Sequence, residues 1–284
     1  MREIKQDKNH NRHKKKIAVL LSISCVGAVL FSGCAGGGDV QRGSTQSLPQ
    51  VIVGSDDYPP FNFEDANGRP TGIDVDLAEE AFGRMGYQAL FTYINWEEKK
   101  ELLERGEIDC IWGSFSIDGR EDEYNWAGPY MISRQVVAVN ENSDIYSLSD
   151  LEGKKIAVQS TTKPESIFTD HEDSRIPQVG EIFSLQNREL IYPFLSKGYV
   201  DAVAAHETAI QQYMNDYGLE YRILQEPLLT VGLGVAFAKD DDRGLEKELT
   251  EVFKEMRSDG TMAEILGQYL DDPEKYLEVD EDEE

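Results

Sequence analysis

"VDLAEEAFGRMGYQALFTYINWEEKKELLERGEIDCIWGSFS", Val75 to Ser116, holds the alternation from which the fold can be read. Val75, Ala78, Phe82 and Met85 recur three and four residues apart, the period of a helix with one buried face, and the run stops at Gly86. "YQALFTYI" then switches to β-forming residues. "WEEKKELLERG" reads as a short helix ending at Gly106, and "IDCIWGSFS" as another strand. With the β-branched "QVIVGS" ahead and the Pro- and Gly-bearing loop "YPPFNFEDANGRPTG" between, the order is βαβαβ. That order predicts an α/β sheet with crossover helices. Cys110, inside an apolar strand, reads as a small core residue.

The alternation restarts after "SDLEGKK". "KIAVQS", "EIFSL", "VDAVAA" and "YRIL" read as strands, with a helix near Pro164 to Asp170. A second helical stretch, Arg188 to Lys197, contains Pro193, which predicts a kink or a late start. Two α/β units in tandem suggest two lobes. "SRQVVAVN" and "VGLGVAFAK" are the runs that could connect them. The expected boundaries are 50–136 for the first part of lobe 1, 137–232 for lobe 2, and 233–284 for the return to lobe 1 and an acidic tail. Leu245, Leu249, Val252 and Met256 form one apolar helix face. "TMAE" reads as a capping box, Thr261 capping and Glu264 reaching back. "DDPEKYLEVDEDEE" reads as a solvated acidic end.

The N-terminus has a different character. "MREIKQDKNHNRHKKK" carries seven Lys/Arg against two acids, then comes the apolar "IAVLLSISCVGAVLF" and "SGC". Basic, apolar and small-residue segments in that order make a secretory signal over residues 1–33. The apolar run is shorter than the roughly twenty residues of a spanning helix. Cys34 after "FSG" resembles a bacterial lipobox, which implies cleavage before Cys34 and its lipidation. Residues 34–49 read as a flexible Gly- and Ser-bearing tether. With Cys25 removed and Cys34 lipidated, Cys110 alone remains, so an internal disulfide is impossible. Removing the leader takes the formal charge from −26 to about −31, which argues against nucleic acid and against adhesion to anionic lipid. Only His171 and His206 survive export, and no phosphate loop is present, so neither metal nor cofactor is expected.

One short stretch bears on function. "SFSIDGRED" sets two hydroxyls one residue apart and Arg120 four positions on, a grouping suited to gripping a small carboxylate. The same Arg120 also reads as a solvated charge beside Glu121 and Asp122.

Seven segments together resemble the family 3 extracellular solute-binding proteins, the polar amino-acid receptors of ABC importers. They are "VGSDDYPPFNF", "GRPTGIDVDLAEEAFGRMGY", "NWEEKKELLERGEIDCI", "SFSIDGR", "AGPYMISRQVVAV", "SLSDLEGKKIAVQSTT" and "GYVDAVAAHETA", in the order and spacing of that family. The resemblance implies a two-lobed, periplasmic-binding-protein-like (type II) fold with two hinge-crossing strands and a ligand in the cleft between lobes. It implies a ligand carboxylate clamped by Arg120, although "SIDGR" is one position shorter than the usual spacing. Ser114 and Ser116 would offer further polar groups, and Thr161 and Thr162 a second carboxylate-binding turn ahead of a helix N-terminus. Tyr58 and Trp96 would be aromatic walls, with Asp56 near a position that touches polar side chains. Expected partners are an amino acid or related small carboxylate, an ABC permease, and the membrane through the lipid anchor. The protein is expected to be an extracytoplasmic monomer.

The resemblance breaks at "VDAVAAHE". The family usually has an aspartate for the ligand ammonium where this chain has His206, followed by Glu207. Losing a carboxylate opposite a buried cation costs about 3–5 kcal/mol. Three accounts remain open: Glu207 turns inward, the ligand lacks an ammonium, or His206 is an ordinary strand-end residue. Lys163 adds positive charge nearby. The competing functions are a cleft enzyme resembling the cyclohexadienyl dehydratases and a ligand-sensing domain. No Gly-x-Ser-x-Gly elbow is present, and catalysis is not expected.

Overall fold

A computed structural model describes residues 47–171 and 173–278. The expected signal segment, Cys25, the expected lipidation site Cys34 and the tether up to residue 46 lie outside the described residues. The first half contains β1 (Gln50–Ser55), β2 (Phe63–Glu64), β3 (Pro70–Thr71), α1 (Ile73–Arg84) and β4 (Gln88–Tyr93). It continues with α2 (Lys99–Glu104), β5 (Cys110–Ser116) and the long β6 (Asn125–Asn140). Then follow β7 (Lys155–Gln159), α3 (Lys163–Asp170), β8 (Glu181–Leu185), α4 (Ile191–Ser196), β9 (Ala202–His206) and α5 (Glu207–Tyr217). The chain closes with β10 (Tyr221–Ile223), β11 (Leu229–Phe237), α6 (Leu245–Ser258) and α7 (Thr261–Leu266).

β1 lies parallel between β4 and β5, the predicted βαβαβ unit. β7 likewise lies parallel between β8 and β9. Antiparallel β6 and β11 join these two halves. β11 pairs with β5 on one side and β6 on the other, and β6 runs on to pair with β9 beyond Gln135. Among the described residues this makes a sheet of order β4-β1-β5-β11-β6-β9-β7-β8, with β10 beside β6.

Each half has its own core. In the first lobe Trp112 packs edge-on against Phe82 and Phe253, which ties α1 and the returning α6 to β5. In the second lobe the sheet is buried on both faces. Val137 and Val139 face Ile156 and Phe168, while Val136 and Ala138 face Ile191 and Leu195. Side chains alternate across a strand, so "VVAV" serves two cores at once and reads as an unbroken apolar run.

Gly72 sets the entry to α1. Its φ is +123°, and a Cβ there would lie 2.3 Å from the Phe61 carbonyl oxygen, so only glycine fits. This close approach lets Ile73 and Asp74 donate their N–H groups to Pro60 O and Phe61 O, anchoring the loop that carries Tyr58.

Two expectations are corrected. The capping box does not form: Gly260 occupies the cap position, Thr261 is the first helical residue, and its hydroxyl accepts from Arg84 at 2.9 Å. The acidic end is not wholly solvated, because Tyr276 buries itself against the first-lobe core. Its aromatic surface outweighs the charged residues on either side. Pro193 falls in the first turn of α4, where its missing N–H has no intrahelical partner to lose, so of the two expected outcomes the late start is the one seen.

Candidate functional site

A narrow cavity of about 30 Å³ lies between the lobes. Tyr58, Trp96, Ser114, Ser116 and Arg120 line it from the first lobe, and Thr161, Thr162 and His206 from the second. Eight of the ten residues singled out in the sequence are therefore placed around one space.

Arg120 reaches the cavity because β5 ends at Ser116 and the chain turns at once. The turn is closed by Arg120 N donating to Ile117 O at 2.9 Å, with Gly119 at φ +71°. Trp126 Nε1 holds the Arg120 carbonyl at 3.0 Å. The half-buried guanidinium lies over the Phe115 ring, 5.1 Å from its centroid, and Nη1 donates to Ser116 O at 3.3 Å. Among the described residues it has no carboxylate partner. Burial pulls its pKa below the usual arginine value.

Two non-glycine residues on the cavity wall sit in the left-handed region, Ser114 at φ +51° and Thr161 at φ +56°. Such strain persists where surrounding bonds impose it. Ser114 N–H donates to Asp74 Oδ2 at 2.7 Å, and Asp74 is fully buried and also held by Tyr130 and Asn62. Burial pushes the Asp74 carboxyl up to about 6, against the pull of these hydrogen bonds. Thr161 N–H donates to Glu165 Oε2 at 2.6 Å, so that donor of the expected anion-binding turn is already used. The Thr161 hydroxyl accepts from Lys99 Nζ of the first lobe at 2.9 Å. Burial, followed by the nearby Arg120, pulls the Lys99 ammonium down to about 8.

The lobes are closed on the cavity. Arg188 of the second lobe pairs with Asp56 of the first at 3.1 Å and lies over the Tyr58 ring. Gln159 Nε2 donates to the same Asp56 oxygen at 2.9 Å. His206 N donates to Tyr58 OH at 3.2 Å, Ser160 Oγ to Glu97 at 2.7 Å, and Gln186 also donates to Glu97. At the mouth Lys163 pairs with Asp118 at 3.1 Å.

Two expected residues are placed elsewhere. Asp56 opens onto an adjoining groove with Asp57, Glu64 and Glu189, and Arg188 already neutralises it. Glu207 does not turn inward, which corrects the first of the three accounts. Gln135 pairs with His206 across β6 and β9, so Gln135 and His206 share a face; the adjoining residues, Arg134 on β6 and Glu207 at the start of α5, point away and pair with each other. Arg134 Nη1 holds both Glu207 oxygens at 3.1 Å.

His206 itself is 4% exposed and both ring nitrogens are engaged. The amide of Gln135 donates to Nε2 at 2.8 Å, which leaves the proton on Nδ1 for Ser133 Oγ at 2.7 Å. Phe61 and Tyr58 pack against the ring. Burial, and then the Arg188 charge, push His206 down to about 3. The native state thus refuses a proton that the unfolded chain accepts near 6.5, so this contribution to stability is present above 6.5 and falls away as pH drops towards 3. Asp74 works in the opposite sense between about 6 and 3.8. We expect urea melts to show the stability gap between wild type and His206→Gln shrinking by about 2 kcal/mol from pH 7 to pH 5. A gap independent of pH would contradict the buried neutral imidazole.

The sequence reading missed Arg188, Gln159, Gln135, Ser133 and Lys99. For Ser133 and Gln135 a signal existed, since they alternate with Met131 and Val137 on one face of a strand, and polar residues there are inward-facing. Buried polar atoms without a partner remain at Ser114 Oγ, Gln135 Oε1 and Gln159 Oε1, all on residues lining the cavity. Buried groups of this kind need a partner, which a bound molecule would supply. Among the described residues no cluster of His, Cys, Asp or Glu is arranged to hold a metal ion, and no helix is long and apolar enough to cross a membrane.

Comparison with known proteins adds four findings. The sequence pattern of the bacterial extracellular solute-binding proteins, family 3, matches residues 51–272. A histidine-binding periplasmic protein of Salmonella typhimurium is 31% identical over 236 residues, covering 79% of this chain and 89% of that protein. A probable amino-acid-binding protein of Bacillus subtilis is 26% identical over 263 residues, covering 91% of this chain and 97% of that one. Among solved structures, an ancestral arginine-binding protein bound to arginine superposes with a TM-score of 0.71 at 26% identity, covering 78% of this chain and 98% of that one.

Proposed function

The chain belongs to the family 3 bacterial extracellular solute-binding proteins, and on that premise we propose that it captures an amino acid or a related small carboxylate in the interlobe cavity and delivers it to an ABC importer. The observation that carries this reading is the Arg120 guanidinium, half-buried on the cavity wall with no carboxylate partner among the described residues. A ligand carboxylate completes it with short, charge-assisted hydrogen bonds, strongest where closed lobes exclude water. Trp96 and Tyr58 shield those bonds, and Ser114, Ser116, Thr162 and Gln159 supply polar contacts. Asp56 acts one step removed, by holding Arg188 and Gln159 in place, and His206 by orienting Gln135.

The relatives' ligands support an amino-acid-sized occupant, and the cavity contains no group assigned to a catalytic step. The protein works as a monomer, held at the membrane through lipid on Cys34. Mass spectrometry of the purified chain tests both parts. We expect a small carboxylate to be released on denaturation and to raise the melting temperature when added back, and the N-terminal peptide to begin at a lipid-modified Cys34. Release of a molecule with no acidic group would overturn the ligand reading, and an unmodified Cys34 the anchor.

A further inference from the structure

The charges around the cavity specify its ligand more narrowly than the family does. Three basic side chains line it, Arg120, Lys163 and Arg188, and no carboxylate does. Arg188 is matched by Asp56 and Lys163 by Asp118, both outside the lining, while Arg120 is unmatched. Lys99, buried just behind Trp96 and Phe115, is a second cation with no ion pair among the described residues. The one acid close enough to have supplied a countercharge from β9 and α5, Glu207, is held by Arg134 on the far side of the sheet. What faces the ligand besides these cations is neutral: the unpartnered oxygens of Ser114, Gln135 and Gln159, and an imidazole whose nitrogens are both engaged.

Resting on the reading of this cavity as a carboxylate receptor, we propose that its ligand is a net anion that carries no ammonium: an N-acylated amino acid, a 2-hydroxy acid or a dicarboxylic acid. An ammonium placed beside Arg120 and Lys99 meets like charge that no carboxylate of the cavity lining offsets, whereas an amide N–H or a hydroxyl finds the neutral oxygens of Gln135 and Ser114. A cationic side chain is disfavoured for the same reason. The site therefore discriminates by charge where the arginine- and histidine-named proteins it resembles take cationic or imidazole-bearing ligands.

Calorimetry with matched probes tests this. Glutamine, glutamate, histidine and arginine are compared with their N-acetyl derivatives and with 2-hydroxyglutarate and succinate. The best anion without an ammonium is expected to bind at least tenfold more tightly than any free amino acid, about 1.4 kcal/mol, and this preference is expected to reverse in His206→Asp, which puts a carboxylate on the cavity wall. Gln135→Glu makes the same change with little change of shape, so a folding failure of His206→Asp does not remove the test. Free amino acids binding more tightly than every blocked or hydroxylated counterpart would overturn this proposal and leave the receptor reading standing. No binding by any probe, with Arg120→Ala melting identically in the presence of each, would overturn both.

Discussion

Arg120→Ala is expected to weaken ligand binding by roughly 30-fold to several thousand-fold. Truncating one member of a buried, hydrogen-bonded charge pair typically costs about 2–5 kcal/mol, and each 1.4 kcal/mol is about tenfold in affinity. The ligand-free protein behaves differently. There the guanidinium's polar and ring contacts among the described residues are the Ser116 carbonyl and the Phe115 ring, and burial already disfavours its charge. Removing a desolvated cation that has no counter-ion leaves the ligand-free melting temperature unchanged or raised. Arg120→Lys keeps the charge and loses the planar fork, so an intermediate loss of about tenfold is expected. Calorimetry paired with melts in the absence of ligand separates binding from folding. Unaltered affinity, or an affinity loss fully accounted for by unfolding, would remove Arg120 from the centre of the site.

Why Arg120 could be found in the sequence and Arg188 could not has a physical basis. Arg120 follows a strand whose end is marked by Gly119, so local pattern places it at the strand terminus, where α/β proteins gather their ligands. Arg188 sits in a short turn of 3-10 helix ahead of α4, with nothing nearby that asks for a buried charge. Its partner Asp56 lies 132 residues earlier. Periodicity reports which face of one element is buried, not which polar residues from two lobes meet once they close. The same limit explains the contact of Lys99 with Thr161 across the lobes. Glu207 went wrong for a narrower reason: one residue along a strand reverses the side-chain direction, and the strand-to-helix junction hid where β9 ends. The α/β order, the crossing strands and the burial of Cys110 were legible because each follows from apolar period and local turn residues.

The cavity is consequently divided between a readable part and a part made by closure. Ser114, Ser116 and Arg120 are set by β5, its turn and the Asp74 anchor, all within the first lobe. The contacts of Arg188, Gln159, Ser160 and Lys99 exist only when the second lobe meets the first. A receptor built this way can bind weakly through one lobe and gain its remaining affinity from closure, so that ligand and cross-lobe contacts favour the same state.

Arg188→Met puts that coupling to a test, and the closed state is expected to lose about 3–5 kcal/mol relative to the open one. Arg188 and Asp56 have side chains only 9% and 10% exposed, so removing the cation leaves Asp56 buried and unpaired. Asp56 retains the Gln159 amide as its one remaining donor. Within a rigid core such a loss would appear as global destabilisation. Here the strain has an exit, since parting the lobes returns Asp56 to water at no cost to Trp112 in one core or Phe168 in the other. Small-angle scattering of the ligand-free variant should therefore show a larger radius of gyration than wild type. Ligand affinity should fall by two or more decades, because binding must now drive closure unaided. Hydrogen exchange in β5 and β7 should stay near wild-type rates. Adding Asp56→Asn removes the stranded charge, and the double variant should recover a large part of the loss, with a coupling energy of about 1–3 kcal/mol. Wild-type scattering and affinity in Arg188→Met would mean that this ion pair does not hold the lobes together. Accelerated exchange in both cores would place its contribution in the fold itself.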